Sequence, residues 1–313
     1  MKKLAIFDID GTIFRSSLLI ELTDALIREG IFPASVAEEY NKAHSKWLNR
    51  EGSYDDYIMA VVRAFESKIK GVSKADFTRV ARSVVKANGK RVYRYTRGLV
   101  GDLQKKGYYL LAISHSPLDI VAPFAKTLGF DKVYGRIHET DAKGKFTGKT
   151  EYLDLISDKA KILTRAVAKE NLTLKSSIGV GDSEGDISFL KLVEQPICFN
   201  PNSKLYATAK RLGWKVVVER KDVVYTNINA KCMMHNAKQK TNTTDGCVCF
   251  KYSDKSQPCQ LRDEEELYEE VKKIAKKHKK ISASLIQKHL YIGFAQTCRL
   301  MNRLEEDGII GKI

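Results

Sequence analysis

The chain opens on Leu4-Ala5-Ile6-Phe7, a short apolar run that stops at Asp8-Ile9-Asp10-Gly11-Thr12. A run of that length, ended by acids and a glycine, predicts a parallel strand buried on both faces that delivers carboxylates at its C-terminal end. Over 16–88 the apolar residues recur at helical spacing in 18–27, 54–65 and 77–85, with turn signals at Gly30, Pro33, Gly52 and Gly71 and no clear strand. Strand and helix then alternate: helix 96–106, strand 109–113, helix 118–128, a strand near Val133, helix 158–170, strand 177–180, helix 184–192 and strand 196–199. Alternation of this kind predicts an open parallel α/β sheet whose ligands sit at the carboxyl ends of its strands. After about Tyr225 the chain turns to Asn, Lys, Thr and Gln with scattered Cys, and from Asp263 it is helical again. Leu267, Val271, Ile274 and His278 share one face, helices over 284–290 and 294–307 follow, and Gly308-Ile309-Ile310 ends the pattern. Three short helices of this kind predict a helix-turn-helix or winged-helix unit.

Composition narrows the class without naming a function. With 313 residues, 43% hydrophobic and 29% charged, the chain is long enough for about two domains and is neither fibrous nor low-complexity. No run approaches the roughly 18 apolar residues of a membrane span, and the opening Met1-Lys2-Lys3 leads into too few apolar residues for a signal peptide, so a cytoplasmic protein without membrane contact is expected. The net charge of +16 is spread almost evenly along the chain, which suits affinity for polyanions and phosphorylated ligands more than it marks a DNA-binding stripe.

The candidate chemistry lies at the strand ends. Asp8 and Asp10, two residues apart at a strand terminus, can both reach one site, where one carboxylate attacks phosphorus and the other protonates the leaving oxygen and later takes a proton from water. Phosphate held against this negative charge calls for a hard divalent cation such as Mg²⁺. Taken alone, the two acids fit a strand-end turn equally well. Two further strand ends and one helix start add to them. Ser114 follows Ile113 just before a helix, placed to donate to a phosphoryl oxygen. Lys159 begins another helix and can neutralise both the phosphoryl group and the attacking carboxylate. Gly181-Asp182-Ser183-Glu184-Gly185-Asp186 supplies two acids four apart, one for the metal and one for orientation.

These elements in this order resemble the haloacid dehalogenase superfamily, in particular its phosphoserine-phosphatase-like branch, over roughly 4–218; Tyr93-Arg94-Tyr95-Thr96-Arg97, a hairpin-like 144–149 and Asn200-Pro201 support the likeness. The resemblance implies that Asp8 is the nucleophile that becomes aspartyl-phosphate and Asp10 the general acid/base. It further implies that Ser114 and Lys159 bind the phosphoryl group, that Asp8, Asp182 and the backbone oxygen of Asp10 hold Mg²⁺, and that Asp186 supports them. It also implies a catalytic core of 1–14 and 89–225 with a helical cap of 15–88. Asp10 favours phosphoester chemistry, because members of the superfamily that do not release an alcohol lack the second acid. His115 and Ser116 stand where glycines are usual, and Phe14-Arg15-Ser16-Ser17 where an acid is usual, so phosphoserine is not the expected substrate.

The tail, 263–313, resembles the gamma winged-helix domain of FtsK-type translocases, through Glu266-Leu267-Tyr268, Ser284-Leu285-Ile286, Ile292-Gly293-Phe294 and Leu304-Glu305-Glu306-Asp307-Gly308. The resemblance implies DNA contacts from Lys288, Gln296, Arg299 and Arg303, while a protein-docking module fits the same residues equally well. Within 226–262, Cys232, His235, Cys247, Cys249 and Cys259 form a cluster that can bind structural Zn²⁺, against the simpler reading of reduced thiols in a linker. The expected function is a Mg²⁺-dependent phosphomonoester hydrolase for a small phosphorylated substrate. The rivals are a phosphotransferase using the same residues and a DNA- or protein-tethered regulator that senses a phosphorylated ligand.

Overall fold

The computed structural model describes residues 1–226, 264–277, 283–290 and 294–310, which belong to two compact units divided between 226 and 264. The expected zinc cluster, Cys232 to Cys259, lies outside the described residues. Among the described residues no helix is long and apolar enough to cross a membrane.

The larger unit is built on eight strands: β1 (Lys2–Asp8), β2 (Tyr109–Pro117), β3 (Lys132–Thr140), β4 (Phe146–Glu151), β5 (Leu172–Gly181), β6 (Gln195–Phe199), β7 (Lys215–Arg220) and β8 (Val223–Thr226). Their order is β4-β3-β2-β1-β5-β6-β7-β8, parallel from β3 to β7, with an antiparallel strand at each edge. β1 is central, and the chain leaves it for β2 on one side and later for β5 on the other, the kind of switch point at which α/β sheets place ligands. Strand alternation sorts the core into two layers. Ala5 and Phe7 of β1 face one cluster, and Leu4 and Ile6 face the other.

Four helices, α1 (Leu18–Arg28), α2 (Glu38–Leu48), α3 (Tyr54–Lys68) and α4 (Lys74–Asn88), fill the stretch after β1. Ser17, Ser53 and Ser73 cap α1, α3 and α4, each side chain accepting from a backbone N–H of the first turn, which is why these helices begin where they do. Their apolar faces join those of α5 (Arg94–Lys105) and α6 (Leu118–Thr127) in one continuous cluster with the sheet. Phe124 of α6, a helix packed between the sheet and α1 and α4, meets Phe14 edge-on at 5.5 Å. The opposite face is covered by α7 (Leu153–Ile156), α8 (Lys159–Lys169), α9 (Ile187–Leu190) and α10 (Ser203–Leu212).

The structure amends several expected elements. The helix expected over 184–192 is a three-residue 3₁₀ turn, Glu184–Asp186, followed by the four residues of α9, because Asp186 is drawn inward to accept two backbone N–H groups. The strand expected to stop at Ile113 runs on to Pro117, where it pairs with Arg136. α2 packs on the core through Tyr40, Ala43 and Trp47, of which only Tyr40 is fully buried, and the hairpin of β7 and β8 falls where the pattern predicts no element, between the strand at 196–199 and the tail.

The smaller unit has α11 (Glu264–Lys277), α12 (Ala283–Leu290) and α13 (Phe294–Glu306) around Leu267, Tyr268, Val271, Ile286, Leu300 and Leu304. The three helices expected of a winged-helix-like domain are thus present, and Gly308, at φ 68°, follows the last. Arg303 is bound up in this fold: its guanidinium donates twice to Glu265 at 2.8 and 2.9 Å and lies 4.0 Å from the Tyr268 ring centroid.

Replacing Phe124, fully buried in the core shared by α6 and the sheet, by Ala is expected to destabilise the larger unit by about 3–5 kcal/mol, read as a lowered midpoint in urea unfolding followed by tryptophan fluorescence. A change below about 1 kcal/mol would mean that this ring is not a close-packed part of that core.

Candidate active site

Register brings the polar strand ends together. Asp8, the last residue of β1, pairs with Ile113, so Ser114 comes one step beyond it on β2; on the other flank Phe7 pairs with Val180, so Gly181 and Asp182 follow at the end of β5. Asp8, Ser114 and Asp182 therefore leave three adjacent strands at one level.

The fourth element enters from α8. Asp158 caps that helix by accepting from Ala160 N–H at 2.9 Å, which fixes its first turn and points Lys159 at the strand ends. Lys159 is 4% exposed; its Nζ lies 2.5 Å from Asp8 Oδ1 and also bonds Asp186 Oδ1. Asp186, fully buried, accepts through its other oxygen from the backbone N–H groups of Asp182 at 2.9 Å and Ser183 at 3.0 Å. It thereby closes the turn after β5 and holds the lysine in place. Gly181 is required beneath it, because a Cβ there would lie 2.5 Å from Asp186 Cβ. Gly11, at φ +79°, passes so close to the Asp182 carboxylate that a side chain would collide with it.

Asp10 is held from two sides. One oxygen accepts from Leu18 N–H at 2.5 Å, at the start of α1; the other accepts from the Ser116 hydroxyl at 2.9 Å and from the Ser114 hydroxyl. The sequence placed Ser114 against a phosphoryl oxygen; the structure has its hydroxyl donate to Asp10 and its Oγ accept from Ser116 N–H at 2.9 Å. Ser116, which the sequence reading noted only as a departure from glycine, is thus a second anchor of the acid. His115 Nε2 sits 3.0 Å from the Ile156 carbonyl.

The electrostatics follow from burial. Burial raises Asp8 to about 7; the Lys159 ammonium opposes that rise, and the Asp186 and Asp10 carboxylates add to it. Asp182 is pushed well up by burial and then by Asp8 and Asp186. Burial alone would lower Lys159, but Asp186 and Asp8 outweigh it and hold the lysine charged. Asp8, Asp182 and Asp186 each offer a carboxylate oxygen, all within 4.8 Å of one another. Three hard oxygen donors with one ammonium between them leave excess negative charge at one point, a donor set that fits a divalent cation such as Mg²⁺.

A cavity of about 600 Å³ opens over these groups, and one face of α3, including Asp55, Ile58, Val62 and Glu66, forms its far wall. Arg136 and His138 of β3 line it as well. Neither was singled out from sequence, although an Arg-x-His pair on a strand places both on one side. Lys288, Gln296 and Arg299 fall on α12 and α13, where nothing is described of their side chains.

Residues 5–191 match the family model of haloacid dehalogenase-like hydrolases. The chain belongs to that family. Residues 262–313 match the FtsK gamma domain. A histidinol-phosphatase of Neisseria meningitidis is 29% identical, over 69% of this chain and 99% of its own length. A phosphoserine phosphatase of Mycobacterium tuberculosis is 26% identical, over 68% of this chain and 69% of its own length. Among solved structures, a Bordetella pertussis protein of unknown function superposes with a TM-score of 0.55 at 20% identity, covering 69% of this chain and 98% of its own, which shows a shared fold. As a family member with phosphatase relatives and the second acid in place, this hydrolase is a phosphatase.

The raised Asp8 gives the metal-free protein a pH signature. Its folded value of about 7 exceeds the ordinary 3.8, so the folded state holds an extra proton across that window, and the stability this contributes is lost as pH rises through about 7. A cation that offsets the ionised carboxylates is therefore expected to raise the melting temperature more at about pH 8 than at about pH 5. Thermal melts with Mg²⁺ and with EDTA at both values check this; equal shifts would contradict it.

Proposed function

We propose that the protein is a Mg²⁺-dependent phosphomonoester hydrolase in which Asp8 forms an aspartyl-phosphate. The observation that carries the reading is the buried ion pair of Asp8 with Lys159, set beside an Asp10 held in place by two serine hydroxyls and a backbone N–H.

In this reading Asp8 Oδ attacks phosphorus in line with the ester oxygen. Lys159, bridging Asp8 and Asp186, favours the ionised nucleophile against the burial that disfavours it and neutralises the charge that spreads over the phosphoryl oxygens. Asp10 gives its proton to the departing alkoxide and then, as a carboxylate, takes one from the water that cleaves the acyl-phosphate. Ser114 turns its hydroxyl from Asp10 to a phosphoryl oxygen when phosphate arrives. Asp8, Asp182 and the backbone oxygen of Asp10 are the residues that would hold Mg²⁺, with Asp186 bracing them. Bound there, the ion supplies positive charge against the phosphoryl oxygens.

The substrate is a small phosphorylated molecule that enters beneath α3. The names of the two relatives, one acting on histidinol phosphate and the other on phosphoserine, support a phosphorylated metabolite of modest size. For the tail, the FtsK gamma match supports a DNA-contacting attachment. In that reading Lys288, Gln296 and Arg299 are the contacts, and Arg303, paired with Glu265, serves mainly to hold α11 to α13.

Phosphate release with Mg²⁺ over a panel of phosphomonoesters tests the chemistry. Asp8→Asn is expected to lower turnover by roughly 10³-fold or more on every ester. Asp10→Asn is expected to lose most activity on alkyl esters and less on para-nitrophenyl phosphate, whose leaving group needs no proton. Retained turnover in Asp8→Asn would remove it as nucleophile, and equal losses of kcat/KM, which reports only the steps through release of the alcohol, on both ester types would remove Asp10 as the acid.

A further inference from the structure

The cavity under α3 holds polar atoms that this chemistry leaves unused. Arg136 Nε and both ring nitrogens of His138 are buried with no hydrogen-bond partner, and among the described residues no other buried side-chain nitrogen or oxygen is in that state. Both residues line the cavity. His138 is 3% exposed, with Phe65 and Phe146 edge-on to it at 5.5 and 5.9 Å. An apolar ring would fill such a position more stably, because an unpaired buried polar group is costly; a histidine there marks nitrogens that meet a partner from outside the chain.

The surrounding charges select the partner's chemistry. The Arg136 guanidinium pairs with Glu66, whose side chain reaches it from the last turns of α3. Burial first, and then the Arg136 charge, hold His138 down to about 4, so its imidazole is neutral. The group is therefore uncharged as a whole. An anion would meet Glu66 and a cation would meet Arg136. The free valences are the Arg136 Nε–H donor and, on the imidazole, one donor and one acceptor. A hydroxyl or a carboxamide matches that set.

The position along α3 sets what lies between this group and the reacting centre. The first turn of α3 meets the start of α10, where Asp55 comes within 4.0 Å of Lys204, and Lys204 in turn pairs at 2.6 Å with Glu184 of the turn after β5. Its other end meets Arg136. Ile58 and Val62 line the cavity between the two ends. We propose that Arg136 and His138 form the specificity subsite of this enzyme, holding an uncharged hydroxyl or carboxamide at the far end of the substrate's alcohol, with an apolar segment between it and the phosphoryl group. The inference rests on the phosphatase reading above and names the class of substrate for it.

The test is kcat/KM of the full chain with Mg²⁺ on alkyl phosphates of graded length, each ending in methyl, hydroxyl, carboxamide, carboxylate or ammonium. At a favoured length the hydroxyl- or carboxamide-ended ester is expected to exceed its methyl-ended match by about 10-fold or more, with both charged ends disfavoured. His138→Phe is expected to bring that ratio close to one, and His138→Gln, which keeps a donor and an acceptor, to retain part of it. Each ratio compares two esters on one sample, so a loss of folded protein cancels; if His138→Phe does not fold, Arg136→Met is read in the same way. A ratio near one at every length, a preference for a charged end, or an unchanged ratio in the apolar variant would overturn the subsite. No phosphate release from any ester, para-nitrophenyl phosphate included, would instead overturn the phosphatase reading and the subsite with it.

Discussion

The ammonium of Lys159, almost fully withdrawn from water, lies between Asp8 and Asp186. A buried lysine alone would lose its proton; placed between the two acids it stays charged, and its ammonium in turn limits how far burial raises Asp8. The local structure follows from that constraint. Asp158 caps α8 and so sets where its first turn points, Asp186 turns inward so that the helix after β5 breaks into a 3₁₀ turn, and Gly181 gives way so that Asp186 can fit. The sheet register then delivers Asp8 to the same point. A shift of one residue in β1 would turn Asp8 to the other face and replace it with an apolar neighbour.

Asp10 joins this charged centre to the helices after β1. It accepts from Leu18 at the start of α1 and from two serines at the end of β2, so one carboxylate fixes both where α1 begins and where the second strand ends. The apolar core runs the same way. Residues of α1, α3 and α4 belong to one cluster with the sheet face and α6, rather than to a core of their own. The four helices after β1 are thus an extension of the sheet's own layer, and α3 is the part of it that presents a face to the cavity.

Much of this was legible in the sequence, for a physical reason. Strands buried on both faces write themselves as short apolar runs, and each polar residue at the end of such a run stands out against it; Asp8, Asp10, Ser114 and Asp182 were all found that way. Lys159 was legible as the first residue of a helix. What could not be read were partners set by tertiary approach. The bond of Ser114 to Asp10 was not foreseen, Ser116 was passed over, and the run of 184–192 gave no sign that Asp186 would break it. α2 falls within the stretch read as helical but was not singled out, because its stripe of Tyr40, Ala43 and Trp47 is sparse and only Tyr40 is fully buried. Arg136 and His138 sit on β3, whose mixed burial makes no clean alternation, so their shared side was hidden in the pattern.

The charged centre and the cavity wall come from different parts of the fold. Asp8, Ser114 and Asp182 are held at one level by the registers of β1, β2 and β5, which the core on both faces enforces; none can move without slipping a buried strand. Arg136, His138 and Glu66 are held by β3, next to the sheet edge, and by α3, where one substitution changes a side chain without touching the register. The charged centre is therefore the part of this architecture that the two-sided core holds fast. The cavity wall, where the proposal above puts selection of the alcohol, is the part that single substitutions can alter without refolding the sheet.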